Sequence, residues 1–222
     1  MRNIKSDLKI IVVGNSNTGK TSYVNKWTKN EFKDKYKATI LSEYSYKIFE
    51  HNGNIYRIQI WDLAGQDKNT TMTKVFCKDS HGVIILSDIT DPTSLEATLK
   101  WKKTIDESVS FFDGSPLPMM LVQNKSDLVK IEDENNKEIV KNEVKDFSIK
   151  NGFARYYQTS VKLGINVTES ITDFLREVIK RTESLKKEEI DRYSDMVKQS
   201  IILNRNFHNG KEKSKKSKSF CC

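Results

Sequence analysis

Short β-branched runs alternate with longer stretches of helical periodicity from Leu8 to Arg181. LKIIVVG (8–14) is continuously apolar, the pattern of a strand buried on both faces. Lys20–Asn30 reads as a helix. Two alternating runs, SEYSYKIFEH and IYRIQIW, flank His51-Asn52-Gly53-Asn54, and this turn signal predicts an antiparallel hairpin. GVIILSD then predicts a strand, SLEATLKWKKTIDESV a helix, and LPMMLVQN another strand. The alternation closes with a helix over Asn135–Lys150, the strand ARYYQTS, and a helix over Val167–Arg181. Six strands with helices between them predict an α/β fold. Its sheet is mostly parallel and doubly wound, with one antiparallel strand and helices on both faces. Ligands of such sheets sit at the carboxyl ends of the strands, so the strand-to-helix loops are where chemistry is expected.

Length and charge refine that picture. The 222 residues suit one α/β domain of about 170 residues plus an appendage. The expected division is an N-terminal extension (1–7), a main domain (8–182) and a C-terminal tail (183–222). The net charge of +8 suggests nucleic acid until it is located. From Arg205 onward six basic residues face Glu212 alone, so the last 18 residues hold a surplus of five and the preceding 204 only three. A basic tail favours an anionic surface over a nucleic-acid groove. Residues 184–203 are compatible with a helical extension, and their charge pattern suits a solvated helix as well. From Asn204 the chain is lysine-rich and poor in apolar residues, so disorder is expected there. No apolar run approaches the ~18 residues of a membrane span. MRNIKSDLKI lacks the apolar stretch of an export signal, so a reduced, cytosolic setting is expected for Cys77, Cys221 and Cys222.

Three loops carry recognisable chemistry. GNSNTGKT (14–21) follows a buried strand and opens a helix, the context a phosphate loop needs. Gly14 and Gly19 let the backbone through Asn15, Ser16, Asn17 and Thr18 curl so that its amides face phosphate oxygens. Lys20 supplies charge at the β and γ phosphates, and the Thr21 hydroxyl suits Mg²⁺. This loop specifies a nucleoside triphosphate but not which one. In WDLAGQD (61–67), Asp62 is placed to hold Mg²⁺ through water, Gly65 to bring an amide to the γ-phosphate, and Gln66 to orient an attacking water. Alone these would be ordinary turn residues; the upstream loop changes their reading. NKSD (124–127) follows the fifth strand. The Asp127 carboxylate can accept from N1–H and the 2-amino group of guanine, neither of which adenine offers. Asn124 would brace neighbouring loops, and Lys125 would lie along the ring.

The set GNSNTGKT, Thr39, WDLAGQ, NKSD and TSVK, in this order and spacing, resembles the Ras superfamily of small GTPases. Over residues 8 to about 180 the chain is most similar to the Rab family, and the terminal CC is a Rab hallmark. The resemblance implies further roles. Phe32 matches the aromatic that stacks on guanine, and Tyr36 the tyrosine that closes over the phosphates. Ser160, Val161 and Lys162 match the loop at the guanine carbonyl. Thr39 joins Thr21 and Asp62 as a metal ligand. Tyr44, Trp61 and Phe76 match the aromatic triad on which effectors dock, although core packing would also account for each. LKWK, FDGSPLPMMLVQNKSD, MTKV, NGFARYYQTS and the apolar Leu63 resemble Rabs of lysosome-related organelles.

The chain departs from the family at Leu41, where glycine is usual, at SEY (42–44) and at QDKNT (66–70). None of these removes a nucleotide ligand; all alter surfaces that partners read. The resemblance implies a GTP/GDP switch that hydrolyses GTP slowly on its own, with Mg²⁺ as cofactor. No arginine finger is evident in the chain, and a partner would raise the rate by up to ~10⁵. Implied partners are an exchange factor, a GTPase-activating protein, a GDP dissociation inhibitor, a Rab escort protein and effectors of vesicle traffic, with no nucleic acid among them. Cys221 and Cys222 would each take a geranylgeranyl group, since one lipid binds marginally and two anchor stably. Five tail lysines would add up to ~1 kcal/mol each on an anionic leaflet. The implied location is the cytoplasmic face of intracellular membranes, endolysosomal or of a lysosome-related organelle, with a cytosolic pool. Two rivals are a nucleotide-independent membrane adaptor that keeps the fold and a P-loop ATPase or kinase; Asp127 argues against the latter.

Overall fold

The computed structural model describes residues 3–34, 39, 42–65, 75–129 and 134–216, with backbone alone for 134–141 and 193–216. Its strands are β1 (Ile4–Gly14), β2 (Ser42–His51), β3 (Asn54–Leu63), β4 (Gly82–Asp88), β5 (Met119–Asn124) and β6 (Arg155–Gln158). Its helices are α1 (Lys20–Lys29), α2 (Pro92–Asp106), α3 (Glu134–Lys150) and α4 (Val167–Lys216), with a single 3₁₀ turn at Ser126–Leu128. The strands form one sheet in the order β2-β3-β1-β4-β5-β6. Every neighbouring pair is parallel except β2 with β3. The predicted α/β architecture is the observed one.

The continuous apolar runs divide their side chains between two cores, as a period of two requires. On one face Leu8, Ile10, Val12, Ile84, Leu86, Met120 and Val122 meet Tyr23 and Trp27 of α1 and Phe174 and Val178 of α4. On the other, Ile11, Val13, Val83, Ile85, Met119 and Leu121 pack with Trp101 and Ile105 of α2 and Val144 of α3. Tyr23 carries its hydroxyl into the first core, where it pairs with Ser170 Oγ at 2.7 Å; burial pushes the phenol well above its usual range. The β2–β3 turn uses Asn52 and Gly53, both with positive φ (50° and 73°), which matches the twist of the paired strands. Asp91 caps α2 by accepting the Thr93 N–H at 3.0 Å, and Pro92 opens the helix.

Two stretches differ from the sequence reading. β1 begins at Ile4, so residues assigned to an N-terminal extension pair with β3, Asp7 opposite Arg57. Lys5, Ser6 and Asp7 are polar and Ile4 is exposed, so no buried run marks them, but Arg57 holds Asp7 through a two-point ion pair and Gln59 adds a bond at 3.2 Å. The last helix continues to Lys216, through 204–216 where disorder was expected. No proline and only one glycine interrupt it, and its lysine, glutamate and arginine residues favour helix intrinsically. The chain divides into two compact units, Met1–Ile179 and Lys180–Cys222. Among the described residues no helix is long and apolar enough to cross a membrane.

Candidate functional site

A cavity of about 720 Å³ lies where the loops after β1, β3, β5 and β6 converge, within the size range of small-molecule sites. Ser16, Asn17, Gly19, Lys20 and Thr21 line it from the first loop and Gly65 from the second. Asn124, Lys125, Asp127, Val161 and Lys162 form its far end, and Phe32 and Thr39 complete the wall.

At the first end, Lys20 is buried, with its ammonium donating to the carbonyls of Gly14 (3.0 Å) and Asn15 (2.9 Å). Burial pushes it down to about 8, against the pull of the Asp62 carboxylate. Thr21 Oγ1 lies 2.9 Å from Thr39 Oγ1 and donates to Asp62 Oδ2. Asp62 is almost wholly buried, and burial raises its carboxyl to about 6, although the Thr21 bond and the Lys20 charge work in the other direction. Its second oxygen, Oδ1, is buried and has no hydrogen-bond partner among the described residues. A partnerless carboxylate oxygen beside two hydroxyls is a hard-oxygen donor set, and it fits Mg²⁺. Gly65 approaches this end so closely that a Cβ there would come within 2.6 Å of Lys20 Nζ and of the Asn15 carbonyl carbon. Only glycine permits that packing.

The other end is held by Asn124. Its Nδ2 donates to Thr18 O (3.0 Å), and its Oδ1 accepts from Thr159 Oγ1 and Val161 N–H, both at 3.2 Å. One buried amide thus ties the loops after β1, β5 and β6 together. Asp127 accepts from Ser160 Oγ, which in turn accepts the Leu163 N–H at 3.1 Å. Lys125 has φ 66° and pairs with Asp88 Oδ2 at 2.6 Å. An end bearing Lys20 and two glycines and an end bearing the Asp127 carboxylate therefore share one cleft. Residues 9–180 match the Ras family.

The chain belongs to the Ras family and is a Rab-like small GTPase. It is 32% identical over 184 residues to Ras-related protein Rab-32 of Homo sapiens, covering 82% of this chain and 80% of that protein. Rab-7L1 of Rattus norvegicus is 32% identical over 164 residues (73% and 78% of the two chains). Rab-32A of Dictyostelium discoideum is 35% identical over 176 residues, 78% of each.

Within this GTPase the remaining predicted residues fall as follows. Gly14 and Asn15 lie behind the cavity wall, where their carbonyls hold Lys20. Ser160 lies outside the cavity lining and donates its hydroxyl to Asp127. Tyr44, Trp61 and Phe76 form a contiguous group, with ring centroids 5.3 Å and 6.0 Å apart, at the junction of β2, β3 and residue 76. Tyr44 is half exposed, and Lys9 Nζ stands 5.1 Å from the Trp61 ring centroid. Tyr36, Gln66, Cys221 and Cys222, with the departures at Leu41 and in QDKNT, lie outside the described residues. Two residues escaped the sequence reading. Trp101 Nε1 donates to Asn15 Oδ1 at 3.4 Å, bracing the loop after β1 from α2; in the sequence LKWK marks only a family likeness, with no role for its tryptophan. Asp88 holds Lys125, and its position as the last residue of a parallel strand was the available signal.

Proposed function

We propose that this GTPase holds guanine nucleotide across the cleft, with Thr21, Thr39 and Asp62 as the Mg²⁺ site and Asn124, Lys125 and Asp127 as the base site. One observation carries the reading: Thr21 Oγ1 meets both Thr39 and Asp62, leaving a buried carboxylate oxygen without a partner among the described residues, at one end of a cavity whose other end bears Asp127. Bound there, Mg²⁺ would neutralise charge on the β and γ phosphate oxygens. Lys20 adds a fixed charge to the phosphate end. Gln66 is assigned the orienting of water for in-line attack on the γ-phosphorus, which releases phosphate and leaves GDP. Thr39 and the Asp62–Gln66 loop are then the elements that the γ-phosphate orders and its loss releases.

Chelation tests the metal assignment. Excess EDTA is expected to accelerate release of a fluorescent GDP at least tenfold, and added Mg²⁺ should reverse it. A release rate insensitive to EDTA would contradict the assignment.

The switch is proposed to act on the cytoplasmic face of intracellular membranes, with a lysosome-related or endolysosomal compartment favoured by the likeness to Rab-32 and Rab-7L1. Tyr44, Trp61 and Phe76 are assigned as the effector surface. An exchange factor, an activating protein, a dissociation inhibitor and an escort protein would be the regulators. Cys221 and Cys222 are assigned as acceptors of two geranylgeranyl groups, with residues beyond the domain serving as the tether. Each lipid contributes ~0.8 kcal/mol per buried CH₂, and serine contributes nothing comparable. Replacing both cysteines with serine is expected to shift the protein from the membrane to the soluble fraction with nucleotide affinity unchanged. The lysines should not rescue it, because their attraction is screened over ~8 Å at physiological salt. A double variant that still sediments with membranes after a salt wash would remove the lipid anchor from the account.

A further inference from the structure

We propose that Asp88 is a positioning residue for the base: it pins Lys125 across the cleft and thereby sets how long the nucleotide stays bound. The inference rests on the reading of Lys125 as a base-site residue and adds a residue that neither motif nor cavity lining includes. Asp88 ends β4, is 7% exposed, and stands opposite Asn124 in the β4–β5 register. Its two carboxylate oxygens have separate tasks. Oδ2 meets Lys125 Nζ at 2.6 Å, while Oδ1 accepts from Thr90 N–H (3.0 Å) and Thr90 Oγ1 (2.7 Å). The Asp88 main chain is fixed as well. Its N–H donates to Ser94 Oγ at 2.8 Å, and that hydroxyl lies within 3.0 Å of the Asp88 carbonyl, inside the first turn of α2. Ile89 N–H donates to Asn124 O at 2.9 Å. A carboxylate held at so many points is a rigid anchor.

Lysine is the kind of side chain that such an anchor serves. Its four-carbon stem loses as much rotamer freedom on ordering as any residue. Held by Asp88 beforehand, Lys125 meets that cost before nucleotide arrives, which is how preorganisation raises affinity. The pair is also well matched electrostatically. Burial alone would raise the Asp88 carboxyl, but the bonds from Lys125 and Thr90 outweigh it and hold the group below its ordinary value. Asp88→Asn keeps an acceptor for Thr90 and removes the charge that attracts Lys125.

A double-mutant cycle on the full chain tests this, using release of GDP labelled on its ribose with N-methylanthraniloyl. Asp88→Asn is expected to speed release about tenfold, and Lys125→Ala at least as much. The double variant should release no faster than Lys125→Ala alone, because the two residues act as one unit. A purely structural role for Asp88 would instead multiply the two effects, and that outcome overturns the proposal. So does an Asp88→Asn rate equal to wild type while Lys125→Ala is fast, which leaves the base-site reading standing. A wild-type rate in Lys125→Ala removes the base-site reading of Lys125 and the proposal with it.

Discussion

Asp127→Asn should lower the affinity for GTP and GDP by about 10⁴-fold or more, and binding should pass to xanthosine nucleotides. A site built around buried polar groups rejects ligands that cannot pair with them by factors of 10⁴–10⁵. Asp127 is half-buried in the cavity wall, and one of its oxygens already takes the Ser160 hydroxyl. A carboxylate has about four acceptor directions, so enough remain for the two donors on one edge of guanine. The amide of asparagine turns one oxygen into a donor, which then faces a donor on the base. Xanthine carries a carbonyl where guanine has its amino group, and so accepts what the variant offers. Competition between GTP and XTP for the purified variant decides the matter. Undiminished GTP affinity would mean that this loop does not read the base.

Thr21→Asn should lower Mg²⁺·GTP affinity by about 100-fold or more. Loss of groups that merely orient metal ligands costs 10–100-fold, so loss of a ligand belongs at or above the top of that range. The geometry gives a second reason. Thr21 Oγ1 stands 2.9 Å from Thr39 Oγ1 and also bonds Asp62, so the longer amide has no place without displacing one of them. Displacing Thr39 would remove a second hydroxyl from the proposed metal site. Titration of Mg²⁺ at fixed GTP, read by protection against nucleotide release, gives the number. An unchanged Mg²⁺ dependence would show that the hydroxyl is not a ligand.

The sheet was legible because its central strands are buried on both faces and need continuous apolar runs. LKIIVVG, GVIILSD and LPMMLVQN could be read with no knowledge of what packs on them. The hairpin was legible because Asn52-Gly53 suits left-handed backbone. The start of β1 was not, since Ile4–Asp7 are not buried and are held by pairing with β3 and by the Asp7–Arg57 ion pair. Pairing of that kind leaves no periodic signature. The course of the last helix beyond residue 203 was not legible either, because a solvated lysine-rich helix and a disordered tail share a composition. In the cleft, the residues assigned to nucleotide fall in short contiguous motifs, which a sequence displays directly. Those that hold them in place were missed: Asp88 is 37 residues from Lys125, and Trp101 is 86 from Asn15. Only the fold brings such pairs together.

The nucleotide carried by the purified, full-length protein tests the central claim most directly. Denaturation followed by ion-pair chromatography of the released small molecules should return close to one mole of GDP and GTP combined per mole of chain, with Mg²⁺ in the buffer throughout. Adenine nucleotide in that fraction would contradict the role given to Asp127. A chain that carries no nucleotide and fails to take up added GTP would contradict the switch itself and leave a membrane adaptor built on a GTPase fold.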